Sequence, residues 1–442
     1  MQIDISQQGC IGDGMTLNTR ALQSAADQLR ECGGTLYVPA GKFLTGVIRL
    51  YSNITLHLAA GASLVSSAQL ADHVVGECIA GLLYAFDAEN ITIRGEGLID
   101  GNAIAFFQEN VAHANCGADI DTASTWQGQH GLHYGSDSTE HGPLRSLGRP
   151  GNLIVFARCK NVIMEEISIT GATYWTIHAA DCQTIRFDRL KIDNDPRHPN
   201  NDGIHLTTCR DAYITHCKIH TGDDAIALTG FNHPAGEREI ALGLSGLNGE
   251  CRDILIANCE LSSRSSAIRI GFGVNPTRHV HIRDCSIKDS QRGLLVHAPQ
   301  ADVSNITMER CDIETQLFHG AWWGCGEPVS LVSVRFPNTP KSYGIKDVSL
   351  SKLRIRSPVG IVAYSECPND IEKIDLNQVE LTLVDDPLDL IKGGNADLRP
   401  AADRHIAVVS IGWEPTHFIN IEATLLDCTF GNEKSLISPH HQ

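Results

Sequence analysis

A chain of 442 residues that is 42% apolar and 20% charged has enough aliphatic side chains for a continuous core, which excludes a disordered polymer. Its formal charge of −17 excludes nucleic acid as the expected partner, because phosphate binding draws on a surplus of Lys and Arg; nor does it attract an acidic polymer from afar. No stretch is apolar over the length a bilayer demands, and Met1-Gln2-Ile3-Asp4-Ile5 lacks the basic start and apolar run of a leader, so no membrane partner and a cytoplasmic location are expected.

The first expected element is a helix over residues 19–32, with Leu22, Ala25, Ala26 and Leu29 on one face. It precedes Gly33-Gly34-Thr35-Leu36-Tyr37-Val38-Pro39 and reads as a cap, so that residues 1–50 form the cap and the first coil. Short alternating segments then recur: a polar turn, Val/Ile-x-Ile, two polar residues, Cys or its equivalent, and x-Ile. They occupy residues 153–169, 183–192, 211–219, 253–261, 279–287 and 302–313, with weaker copies at 53–58, 90–99, 346–355 and 370–381. Cys259, Cys285 and Cys311 recur at an interval of 26 residues.

Each copy is too short and too β-branched for a helix. Repeats of roughly 20–30 residues made of such strands stack into a solenoid, each covering its neighbour's apolar face. The LxxLxL spacing of leucine-rich repeats is missing, so the fold expected is an all-β parallel β-helix, one unit over residues 1–442. The 15 cysteines lack CxxC pairs and several fall at one place in the repeat, which suits small buried thiols rather than a disulfide framework or a zinc site. Three stretches break the repeat and are expected to carry function. They are residues 103–150 (with Trp126, Tyr134, His113, His130, His133 and His141), 231–250, and 318–328 (with Trp322, Trp323 and Glu327). The histidines of the first lack ligand spacing apart from His130 and His133, and neither a metal nor a cofactor is expected.

Two runs carry the chemistry: Asn200-Asn201-Asp202-Gly203-Ile204 and Thr221-Gly222-Asp223-Asp224-Ala225-Ile226. If successive coils stack in register, equivalent positions lie roughly 4.8 Å apart. Three carboxylates then fall within the reach of about 5–9.5 Å that glycoside hydrolysis uses between its acid and its base. A single Asp-Gly is ordinary turn chemistry; two such runs on neighbouring coils are a candidate acid/base cluster.

Further residues match a known pattern. Gly12-Asp13-Gly14, Asn18-Thr19, the run from Gly33 to Pro39 with Ala40-Gly41, Leu50-Tyr51-Ser52-Asn53-Ile54-Thr55-Leu56, Gly61-Ala62, Arg149-Pro150, Tyr174-Trp175-Thr176-Ile177-His178 and the two acidic runs resemble glycoside hydrolase family 28, the polygalacturonases, within the pectate-lyase-like β-helix superfamily. The likeness extends to about residue 300. It implies a right-handed parallel β-helix and an inverting hydrolase, with Asp223 as general acid and Asp202 and Asp224 as base and water-holding groups. Crowding three carboxylates raises at least one pKa, which keeps an acid protonated near neutrality.

Two of the family's motifs are replaced. Ser265-Ser266-Ala267 stands for its Gly-His-Gly, and Leu295-Val296-His297 for the Arg-Ile-Lys that grips a uronate. The expected substrate is therefore a poly- or oligosaccharide other than plain polygalacturonate. Arg269 alternates with Ile268 and Ile270 and is expected to face the cleft and contact substrate. His205 shares the outward parity of the acids, His178 lies one coil earlier, His297 takes the place of the family's lysine, and Trp322, Trp323 and Glu327 offer sugar-stacking faces and a fourth carboxylate. All seven are expected substrate-binding residues. Two alternatives stay open: a β-helix lyase, epimerase or fructosyl transferase, and a non-catalytic β-helix that binds carbohydrate. A homo-oligomer stays open as well.

Overall fold

The computed structural model describes residues 1–112, 140–231, 242–319, 322, 324, 326–333, 343–365, 367, 369–390, 416–419 and 423–430. The chain winds as an all-β, right-handed parallel β-helix. Each coil lays down three short strands, and each strand pairs in parallel with its equivalents in the coils before and after. One coil shows the plan: Ile204–Thr207, Arg210–Thr215 and Lys218–Thr221. The first of these belongs to an 11-stranded sheet running from Ile48–Arg49 to Thr416–Ile419. The other two belong to the two remaining faces, which merge late in the chain where Ile345–Ser357 and Ile371–Leu383 run through the bend between them.

The bends explain both the recurring pattern and the cysteines. Before the second bend stand His216, Asn258, Asp284 and Arg310, with φ of 54, 56, 55 and 52°. That left-handed conformation costs an L-residue roughly 1–2 kcal/mol, and polar side chains hold it at all four bends. The next residue turns inward under a sharp corner where only a small side chain fits. Cys217, Cys259, Cys285 and Cys311 fill that corner, and their thiols donate to the carbonyls of Thr215, Ala257, Arg283 and Glu309 at 3.3, 3.4, 3.2 and 3.3 Å. The bend after the site sheet repeats the device, with Cys159, Cys182 and Cys209 donating to Ala157, Ala180 and Thr207, each at 3.4 Å. Among the described residues no cysteine is in a disulfide.

Inside the coils one apolar cluster runs from Ile3 to Leu381. The helix Thr19–Gln28 closes its N-terminal end by burying Leu22, Ala25 and Ala26. It stops short of the expected residue 32 because the chain must turn into Gly33 (φ 66°) and Gly34 (φ 138°), where a Cβ on Gly34 would sit 2.2 Å from the Met1 carbonyl. The insertion at 103–150 begins and ends as an antiparallel pair, Phe107–Ala112 with Leu144–Ser146. Trp126, Tyr134, His113, His130 and His133 within it lie outside the described residues, as does Trp323. No helix among the described residues is long and apolar enough to cross a membrane.

Candidate active site

The site sheet stacks Ile177, Ile204, Ile226, Ile268, Leu294 and Val329 in one inward column. Its neighbours point outward, as alternation demands: His178, His205, Ala227, Arg269, Leu295 and Ser330 form one column. Two residues before the inward column, at the entrance to each strand, stand Asp202, Asp224, Ser266, Arg292 and Glu327. Asp223 sits one position earlier in the turn between Lys218–Thr221 and Ile226–Thr229.

Glycine makes these turns tight enough. A Cβ on Gly203 would lie 2.4 Å from the Ala225 carbonyl, and one on Gly222 2.3 Å from the His198 carbonyl. Asn201 then staples one turn to the next. Its amide oxygen accepts from Gly222 N at 2.6 Å and Asp223 N at 3.2 Å, while its Nδ2 donates to the Asp195 carbonyl at 2.9 Å. Arg149 braces the loop from outside, donating to the Thr173 and Pro199 carbonyls and to Asn200 Oδ1, all at 2.8 Å, with its guanidinium 4.4 Å from the Tyr174 ring centre.

The three carboxylates converge, with one oxygen from each lying within 4.8 Å of the others. Their surroundings differ. Asp224 Oδ1 accepts from Ser265 Oγ at 2.9 Å and Ser266 N at 3.0 Å, and its Oδ2 accepts from Arg269 Nε. Burial opposes ionisation of Asp224, yet the charges of Arg269 and Arg292 with these hydrogen bonds outweigh it and hold the carboxyl below its usual range. Asp202 is buried, has Oδ2 3.2 Å from His205 Nδ1, and has no hydrogen-bond partner at Oδ1. Burial and then the charge of Asp224 push it well above the usual range, against the pull of Arg269. Asp223 is half-buried and accepts from Asp224 N at 2.8 Å. Burial and the charges of Asp202 and Asp224 push it well up too. One arginine thus faces three carboxylates and commits to Asp224.

The other expected residues are distributed as follows. His205 is 3% exposed and stacked on Trp175, ring centres 3.6 Å apart. His178, 1% exposed, has Nδ1 3.0 Å from Asn152 Nδ2 and Nε2 2.9 Å from Thr207 Oγ1. The Asn152 Nδ2 can only donate, so His178 Nδ1 accepts and a neutral His178 carries its proton on Nε2. Arg269 carries a side chain 12% exposed and directed at Asp224. His297 is buried level with Gly271 and Val332, its ring centre 5.4 Å from that of Phe272, while the rung of Arg269 continues into Leu295. Trp322 is buried and donates from its indole to the His141 carbonyl at 3.1 Å, tying the loop at 318–328 to the end of the insertion. Glu327 is buried in the column of Asp202 and Asp224, beyond Ser266 and Arg292.

Sequence reading missed Asn201, Ser265, Ser266, Trp175, Thr229 and Arg292 as parts of this site. Arg292, Ser266 and Trp175 carried a signal, since aligning the coils on their inward aliphatic residues puts them two places before Leu294, Ile268 and Ile177. A second cluster, Glu109, Asp195 and His198, brings three potential ligand atoms within 4.8 Å of one another. Arg197 already bridges its two carboxylates, reaching Glu109 Oε2 at 2.8 Å and Asp195 Oδ2 at 2.5 Å.

A family model described as glycosyl hydrolases family 28 matches residues 33–315. A probable polygalacturonase of Vitis vinifera is 27% identical over 308 residues, 63% of this chain and 59% of that protein. An exo-poly-alpha-D-galacturonosidase of Dickeya chrysanthemi is 42% identical over 117 residues, 23% of this chain and 19% of that protein. The chain thus spans less than two thirds of the length of either relative. Among solved structures, a hyperthermoactive exopolygalacturonase from Thermotoga maritima aligns with a TM-score of 0.60 and 20% identity over 87% of both chains. A family 28 exopolygalacturonase from Yersinia enterocolitica aligns with a TM-score of 0.63 and 16% identity over 99% of this chain and 79% of that one. At these identities the structural likeness is one of fold.

Proposed function

The chain belongs to glycosyl hydrolases family 28, and from that premise we propose that it is a glycosidase cleaving a poly- or oligosaccharide with Asp223 as general acid and Asp202 as the base that activates water. The observation that carries this reading is the unequal environment of three converging carboxylates. Asp223, partly open to solvent and pushed up by burial and by Asp202 and Asp224, is suited to hold a proton at neutral pH and deliver it to a leaving oxygen. Asp224, kept ionised by Arg269 and Arg292, orients water and balances the positive charge that develops on the sugar.

Inversion is proposed on the family resemblance. The nearest oxygens, within 4.8 Å, stand closer than the roughly 6.5–9.5 Å usual between the carboxyl groups of inverting enzymes, so the anomer of the first product is a sharp test. NMR of that product should show the inverted configuration.

The substrate proposed is not plain polygalacturonate. Leu295 packs in an apolar cluster with Val332 and Tyr364 where the family's arginine would reach a uronate, and Arg269 is already paired with Asp224. Both fit a neutral or sparsely charged sugar. The free thiols, most of them buried, fit a reducing compartment.

Asp223→Asn should lower kcat by about 10²–10⁴-fold in a reducing-end assay while far-UV circular dichroism is unchanged. Undiminished turnover would remove Asp223 from its role, and an unsaturated product in place of new reducing ends would move the enzyme to the lyases. A screen over plant, algal and fructan oligosaccharides names the sugar.

A further inference from the structure

Asp202 is buried and Asp223 half-buried beside Asp224, and burial with the charge of Asp224 raises both, so these two causes alone do not decide which of them keeps a proton. A chain of side chains on the outward face of the site sheet breaks the tie. Arg269 donates from Nε to Asp224, and its Nη1 lies 3.4 Å from Thr229 Oγ1. Thr229 Oγ1 lies 3.4 Å from His205 Nε2, and His205 Nδ1 lies 3.2 Å from Asp202 Oδ2. The bridge spans from one coil to the next but one because the rung between His205 and Arg269 is Ala227, whose methyl leaves room for both longer side chains. Trp175 stacks on the imidazole, ring centres 3.6 Å apart, and limits its rotation.

Proton counting gives the bridge a direction. A guanidinium has no acceptor, so Thr229 must accept from Arg269 and has its one hydroxyl proton left to give. Among the described residues that hydroxyl has no other acceptor than His205 Nε2. An Nε2 that accepts leaves the proton of a neutral imidazole on Nδ1, where it donates to Asp202. The Asp202 oxygen so held is Oδ2, which leaves the unpartnered Oδ1 for the attacking water. We propose that Thr229 is a positioning residue: with Arg269 it fixes the tautomer of His205, and His205 in turn holds Asp202 as the ionised, water-activating base, leaving the proton to Asp223.

This rests on the glycosidase reading of the three carboxylates, and the tests separate the two. The charged or titratable groups facing Asp202 are Asp223, Asp224, Arg269 and His205; behind them His178 lies 5.9 Å from His205, and Arg292 acts on Asp224. Removing the hydroxyl with Thr229→Val frees His205 to take its proton on Nε2. Asp202 then loses its donor and protonates at higher pH. The acidic limb of the kcat/KM profile should move up, and kcat near neutrality should fall about fivefold, the rate equivalent of one hydrogen bond of roughly 1 kcal/mol. KM should hold, and Thr229→Ser should restore the wild-type profile.

Selective ¹⁵N-histidine labelling of the intact protein, with the His205 signals identified by their loss in His205→Gln, reads the tautomer without any substrate. The Nδ1–H pattern is expected in the wild type and a shift toward Nε2–H in Thr229→Val. An Nε2–H pattern in the wild type, or an unmoved acidic limb in Thr229→Val, overturns the proposal. Neither result touches the glycosidase reading, which stands or falls on Asp223→Asn.

Discussion

The same stacking of coils sets arginines against carboxylates on two faces of the molecule, with opposite consequences. At the bend between Thr277–Arg283 and Ser286–Ser290, Asp284 accepts from Arg310 of the next coil at 2.7 Å and from Arg283 at 2.8 Å. All three side chains are open to water, and these hydrogen bonds bring the Asp284 carboxyl down to about 2. Arg354 and Asp312 repeat the arrangement further on at 2.6 Å. At the entrance to the site sheet the register is equally regular, but one arginine bonded to Asp224 serves three carboxylates away from water. Asp224 is held down while Asp202 and Asp223 are driven up. Stacking brings like residues together on both faces; the ratio of charges and the access of water decide whether the result is a solvated ladder or a proton-holding site.

The sharpest way to break this comparison is to remove one arginine from each face. Arg269→Ala strands a buried carboxylate and should cost about 3–5 kcal/mol in urea unfolding. Equal losses for Arg269→Ala and a surface arginine would mean that burial adds nothing to the site pair.

A test of intermediate size uses the sign of pH dependence. A carboxyl raised in the folded state costs stability above its unfolded value of roughly 4, and the cost grows until the folded pKa is passed. Asp223→Asn should therefore raise Tm at neutral pH, and the gain should vanish near pH 4, so that the substitution abolishes activity and stabilises the fold together. Asp284 is depressed instead: its stabilisation is present above the unfolded value and is lost as pH falls toward about 2. Asp284→Asn should consequently lower Tm at neutral pH and lose its effect in strong acid. Thermal unfolding of both variants across pH gives two curves of opposite sign; curves of the same sign would dissolve the contrast.

The smallest effect belongs to the surface pair. Arg310→Ala should change urea unfolding far less than Arg269→Ala, because a solvated ion pair gains little over its hydrated parts, and moderate salt should reduce even that.

Much of the coil was legible because its grammar is local. A polar residue able to adopt positive φ, then a cysteine, then an alternating strand, marks each bend at His216-Cys217, Asn258-Cys259 and Asp284-Cys285 without reference to any other coil. The acids were legible for a related reason: Asp202 and Asp224 precede Ile204 and Ile226 by the same two residues, so equal offsets put them in one column. Alternation pointed Arg269 outward, but its commitment to Asp224 could not be read, since alternation gives a direction and not a partner. Asn201, Ser265 and Ser266 look like ordinary turn residues; their hydrogen bonds to the acidic turns run between coils, over 21, 41 and 42 positions. Trp322 offered an aromatic face in the sequence and is instead buried against the carbonyl of His141, 181 positions away.

The sequence by itself therefore determined the β-helix, its capping helix and the gathering of Asp202, Asp223 and Asp224, because strand period, bend chemistry and coil offset are all set within one or two turns of chain. Only the tertiary structure decided which carboxylate Arg269 neutralises, how Thr229 and His205 reach Asp202, and that the charge of Arg292 acts on Asp224. Those choices depend on how coils of unequal length stack, on a small Ala227 between two long side chains, and on the exclusion of water, and none of these is a property of any local stretch.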